Sequence, residues 1–151
     1  MKNRFAKEME NDSDVRKSRS WLQTVVAPVL MVFYLGALAF LCFGQFDSLP
    51  EVSTDFFGIP TDKIVHFCMF FPFPFLAYAT FVHKTKGRWV SVFQIIGIYI
   101  AGCILGILTE LGQGLTDYRS CDINDFRADA LGMALSSIII IIIDTIRRSG
   151  E

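Results

Sequence analysis

Three short stretches hold the side chains best suited to chemistry. Asp62, Lys63 and His66 open one apolar block. Glu110 and Gln113 close another. Arg119, Asp122, Asp125, Arg127 and Asp129 lead into the last. On a helix, residues three or four apart share a face, so Asp62 pairs with His66 and Glu110 with Gln113. Asp122, Asp125 and Asp129 recur at i, i+3 and i+7, one stripe if their helix starts early. A histidine beside a carboxylate can serve as a general base, and paired acids can share a proton or hold a divalent ion. Arginine and lysine can meet phosphate through charge-assisted contacts. No HExxH or similarly tight metal spacing, nucleotide loop, Rossmann fingerprint or zinc knuckle is present, and no Ser or Cys stands beside a His at informative spacing. Neither a metal nor a cofactor is therefore expected.

Each of these residues also has a plainer reading. A single histidine inside an apolar helix often serves as hydrogen-bonding glue between helices. Asp122 can be an N-cap, and Asp125 a first-turn acid favoured by the helix dipole. Asp129 resists such treatment, because it is about to enter hydrocarbon and needs protein or water contact. Glu110 stands at the unfavourable end of a helix dipole. It needs a partner, and Arg119, Arg127 or His66 can supply one. The expected ligand-binding set is Asp62, Lys63, His66, Glu110, Gln113, Arg119, Asp125 and Asp129. If a reaction occurs, His66, Glu110, Asp125 and Asp129 are its candidate catalytic groups.

The elements that must position this set follow from composition. The chain has 151 residues, 52% hydrophobic and only 19% charged, with 15 Phe. Disordered chains need the opposite balance, and 11 Gly, 5 Pro and 4 Cys exclude collagen-like or disulfide-scaffold classes. A net charge of −1 without a basic patch argues against nucleic acid. The apolar residues fall in four long blocks, which is how a polytopic membrane protein reads. The expected fold is an all-α integral membrane four-helix bundle with spans at about 25–43, 64–82, 89–109 and 126–143. Residues 1–20 read as a cytoplasmic polar tail, 21–146 as one transmembrane domain and 147–151 as a second cytoplasmic tail.

Charge alternates between the segments that link the blocks. Residues 1–20 carry a net +2 and 83–88 a net +3, whereas 44–63 and 110–129 each carry −3. Basic loops stay cytoplasmic, so both termini are expected inside and the acidic segments outside, in a bacterial plasma (inner) membrane. The first block is too long for a cleavable leader and reads as an uncleaved anchor. Trp21 and Trp89 suit the cytoplasmic interfaces. Pro72 and Pro74 should kink the second span. Gly102-xxx-Gly106 and Ala130-xxx-Ala134 offer faces for close helix approach. In an up-down bundle the three polar stretches then lie at one end. Cys42, Cys68 and Cys121 are expected near that side, and Cys103 within the third span. A disulfide from Cys121 to Cys42 or Cys68 competes with the reading of hydrophobic filler.

The ordered set Asp62-Lys63-Ile64-Val65-His66-Phe67, Glu110-Leu111-Gly112-Gln113, Arg119 and Asp125-Phe126-Arg127-Ala128-Asp129-Ala130-Leu131-Gly132 resembles the VanZ-like family of small membrane proteins, named for a teicoplanin-resistance accessory. The resemblance spans residues 61–135. Asp129 stands where the family pattern has Asn. The resemblance implies a four-helix membrane protein of the cell envelope linked to lower glycopeptide susceptibility. The leading expectation is a protein that binds or modulates a lipid headgroup or lipid-linked envelope precursor. An enzyme acting on such a headgroup is the alternative, and a proton-coupled transporter the third.

Overall fold

A computed structural model describes residues 21–44, 58, 60–82, 87–116 and 121–149. The described residues are all-helical apart from short turns and caps. Helix α1 covers Leu22–Phe43, α2 Thr61–Phe70, α3 Phe73–Phe81, α4 Arg88–Gln113 and α5 Ile123–Ser149. With α2 and α3 taken as one interrupted rod, four helices are long and apolar enough to cross a membrane. The rods overrun the expected spans. The 26 residues of α4 and 27 of α5 reach roughly 40 Å at 1.5 Å per residue, against a hydrocarbon core of about 30 Å. Their extra turns carry the polar ends.

Local sequence explains where each rod bends, starts and stops. Pro28 lacks an N–H and its ring crowds the preceding turn. The first turn of α1, Leu22–Val26, is accordingly wound wide, with the Ala27 N–H bonded to the Leu22 carbonyl. Pro72 and Pro74 remove two successive donors from the second rod. The helix breaks at Phe71–Pro72 and resumes with Pro74 in the first turn of α3, where a missing donor costs nothing. Beside that break the Tyr34 hydroxyl donates to the Met69 carbonyl at 2.7 Å. Gly114 ends α4 by donating its N–H to the Glu110 carbonyl at 3.0 Å. Asp122 starts α5: its Oδ1 accepts the Asn124 N–H at 2.9 Å, as an N-cap does.

Packing is tightest where α5 meets α2 and α4. A Cβ added at Gly132 would lie 2.5 Å from the Phe67 carbonyl oxygen, so α5 presses directly on the α2 backbone. Gly102 and Gly106 face Met133 with Phe73, and Phe126 with Asp129, respectively. The small-residue face of α4 is therefore used as expected. On α5 the buried small residues are Ala128, Gly132, Ser136 and Ser137. The expected pair, Ala130 and Ala134, is only half-buried. A shift of two residues rotates a helical face by about 200°, and Gly permits closer approach than Ala. Met31, Leu38, Cys42, Phe70, Phe73, Ala77 and Met133 form the apolar core. Phe33, Phe93, Ile104 and Leu131 point outward and are largely exposed, as lipid-facing side chains must be. All four cysteines are free thiols, so the disulfide alternative does not hold.

Candidate functional site

The start of α2, the end of α4 and the start of α5 meet at one end of the bundle. Thr61–Phe70 brings Asp62, Lys63 and His66; the last turn of α4 brings Glu110; the first two turns of α5 bring Asp125 and Asp129. The close passage at Gly132 sets the α2–α5 separation, and the Asp129 carboxylate lies against α4 beside Gly106.

His66 sits at the centre, 3% exposed. Its Nδ1 lies 3.1 Å from Asp129 Oδ1 and 3.8 Å from Glu110 Oε1. Its Nε2 lies 3.8 Å from Asp125 Oδ2 and 4.0 Å from Asp62 Oδ1. Among the described residues, all four of its ion-pair partners are carboxylates. The Lys63 ammonium donates to Asp125 Oδ1 at 2.7 Å and to Asp122 Oδ2 at 3.0 Å, and stands 3.8 Å from Asp62. Glu110 Oε2 accepts the Asp122 backbone N–H at 3.1 Å. That bond ties the last turn of α4 to the cap of α5. The Asn124 N–H, and next the Lys63 ammonium, hold the Asp122 carboxyl below the usual carboxylate range.

Among the described residues the cluster is over-supplied with acid. Five carboxylates (Asp62, Glu110, Asp122, Asp125, Asp129) face one lysine and one histidine. Glu110 Oε1 and Asp129 Oδ2 are buried and accept no hydrogen bond. Two sets of ligand-type atoms lie within 4.8 Å of one another: Asp62, His66 and Asp125 toward the surface, and His66, Glu110 and Asp129 in the interior.

Six of the eight expected site residues come together: Asp62, Lys63, His66, Glu110, Asp125 and Asp129. Gln113 does not join them. Its Nε2 donates to the Cys42 carbonyl at 3.0 Å, because three residues along a helix leave about 60° between side chains and α1 occupies that direction. Arg119 lies outside the described residues. Arg127 points away, exposed, and donates to Asn124 Oδ1 at 3.1 Å. Among the described residues Glu110 is thus met by His66 and a backbone N–H, and not by Arg127. Asp122 is an addition to the expected set. It caps α5 and also pairs with Lys63, which only tertiary proximity could reveal.

The arrangement is suited to holding positive charge: protons, an ammonium group or a metal ion. Anions are poorly served, since Lys63 is already engaged by three carboxylates. No protein family, curated protein or solved structure matches this chain.

Proposed function

We propose that this chain is a VanZ-like multi-pass protein of the bacterial plasma membrane that binds or modulates a lipid headgroup or lipid-linked envelope precursor. Both termini would lie in the cytoplasm, with the acidic cluster at the outer face, as the distribution of basic segments favours. The observation that carries the reading is an apolar cleft along α2, the helix that also brings Asp62, Lys63 and His66 to the cluster. The cleft, about 380 Å³, lies between α1 and α2 and is lined by Tyr34, Ala37, Leu41, Val65, Cys68 and Pro72 among others. Its walls are apolar, as acyl chains require, and its α2 lining, from Ile64 to Met69, brackets His66 in sequence. A polar headgroup at the rim and a chain segment in the cleft match one amphipathic lipid. The charge of the cluster favours a headgroup that presents an ammonium group, or one whose phosphate reaches it through a cation.

Depth supports headgroup contact over transport. Glu110 is three residues from the end of α4, while His66 and Asp129 are five and six residues beyond the first positions of α2 and α5. At 1.5 Å per residue all lie within roughly 9 Å of a helix end, short of the midplane that a proton relay would cross. The enzymatic alternative is favoured by one feature, the imidazole flanked by carboxylates on both ring nitrogens. Turnover of a lipid-linked substrate by the purified protein, lost in His66→Ala, would establish it.

The binding test uses the full chain purified from membranes, with retained lipid read by native mass spectrometry. Ala37→Trp fills the cleft without touching the cluster. It should lose the retained lipid and restore glycopeptide susceptibility in a host that the wild type protects. Unchanged lipid retention rejects the reading. Sidedness is read separately. A variant with Cys121 as its sole cysteine should react with an impermeant maleimide in intact cells, and labelling only after permeabilisation would reverse the orientation.

A further inference from the structure

The inner half of the cluster has the make-up of a metal centre. We infer that His66 Nδ1, Glu110 and Asp129 bind one divalent first-row cation of the zinc or manganese kind. Ligand atoms on zinc lie about 2.0–2.2 Å from the ion, which places neighbouring ligand atoms about 3.3 Å apart in a tetrahedral site. The His66 Nδ1 separations of 3.1 Å from Asp129 Oδ1 and 3.8 Å from Glu110 Oε1 straddle that spacing. All three residues are at least 97% buried, and Glu110 Oε1 and Asp129 Oδ2 have no hydrogen-bond partner. A buried carboxylate oxygen without a donor is costly. Glu110 Oε1 faces the imidazole nitrogen directly, and Asp129 Oδ2 belongs to the carboxylate whose other oxygen contacts it; a single divalent ion would offset both.

The surrounding contacts hold these ligands as metal sites hold theirs. A ligating histidine commonly turns its other ring nitrogen to a carboxylate, which fixes the tautomer. His66 Nε2 faces Asp125 and Asp62. The far oxygen of Glu110 is fixed by the Asp122 N–H, and Asp125 is itself held by Lys63. Asp62, with its side chain 59% exposed, extends the acidic path from the surface to His66. One imidazole with two carboxylates suits zinc or manganese better than an all-oxygen magnesium site. The inference departs from the absence of a metal motif in the sequence, because the three ligands come from three rods and share no local spacing. It does not depend on the lipid reading.

The test uses full-length protein in lipid-depleted detergent, stripped with EDTA and titrated with ZnCl2, MnCl2 or MgCl2 against a chromophoric chelator. Wild type should take up one Zn2+ per chain, more tightly than Mn2+, and Mg2+ least. Glu110→Gln and Asp129→Asn should weaken Zn2+ by more than about 100-fold, and Asp125→Asn, one shell out, by about 10-fold. Asp144→Asn at the opposite end should bind as wild type. Failure of wild type to bind Zn2+, or equal binding by Glu110→Gln and Asp129→Asn, overturns the proposal. Should those variants fail to fold, the visible spectrum of Co2+-loaded wild type decides. Intense ligand-field bands of a low-coordinate site support it, and a spectrum like aqueous Co2+ overturns it. Lipid retention plays no part in these readouts, so the two proposals fail independently.

Discussion

The two ends of the bundle solve the same problem in opposite ways. At the end where α3, α4 and α5 meet near Asp144, one acid faces one base. Arg148 Nε donates to Asp144 Oδ2 at 2.8 Å, the Tyr78 hydroxyl donates to Oδ1 at 3.2 Å, and Arg148 also donates to Ser91 Oγ at 2.7 Å. Within this pair charge balances, and both carboxylate oxygens of Asp144 have partners. At the other end five carboxylates crowd a lysine and a histidine, and two buried oxygens have none. A cluster that only ties helices together needs the first arrangement, since satisfied polar groups stabilise and orphaned ones cost about 1–3 kcal/mol each. The second arrangement is the one that the proposed cation would complete.

Substitutions at the two ends should break or sharpen that contrast. The largest effect is expected from Lys63→Met. It removes the one lysine from a group of acids that includes the buried Asp125, and about 3 kcal/mol of stability should go with it. Chemical or thermal unfolding in detergent measures this, and a neutral result would mean the acids do not repel. Next comes Gly132→Ala. Its methyl group would meet the Phe67 carbonyl oxygen at 2.5 Å, so α5 and α2 must separate at a cost of about 2 kcal/mol. Zn2+ uptake should weaken too, because His66 and Asp129 part company.

A pair of isosteric neutralisations tests the contrast by sign. In metal-free protein Glu110→Gln should raise stability by about 1 kcal/mol. It relieves like-charge repulsion and keeps an oxygen for the Asp122 N–H, the stabilisation common when a functional residue is lost. Asp144→Asn should lower stability by about 1 kcal/mol, since it weakens the contacts to Arg148 and Tyr78. Equal signs would erase the distinction between the two ends. The smallest effect concerns pH. The Asp122 carboxyl titrates lower in the folded chain than in the unfolded one. Its contribution is therefore fully present above about pH 4, the ordinary carboxylate value, and fades as pH falls through the lower folded value. The melting-temperature gap between wild type and Asp122→Ala should shrink over that acid range and stay level above it.

Much of this was legible in the chain. Apolar length alone predicts four rods, and the prolines mark the break at Phe71–Pro72. Six of eight expected site residues meet because connection order in an up-down bundle returns alternate helix ends to one side. Asp129 stood out before any coordinates, as an acid with no place in hydrocarbon. Gln113 and Arg127 turn away from the cluster, which the chain does not reveal for one reason. Sequence spacing says which residues share a face of one helix, but not which neighbour that face meets. The Asp144–Arg148 pair at i,i+4 on a helix was a readable signal of a tie, and its link to Ser91 and Tyr78 was not.

The sequence by itself determined the class of molecule and which end of each rod is polar, because hydropathy and charge act residue by residue along the chain. Only the tertiary structure decided that Glu110, Asp129 and His66 converge with two oxygens unpartnered. That outcome depends on distances between rods, set above all by the contact of Gly132 with the α2 backbone, and no local spacing encodes such distances.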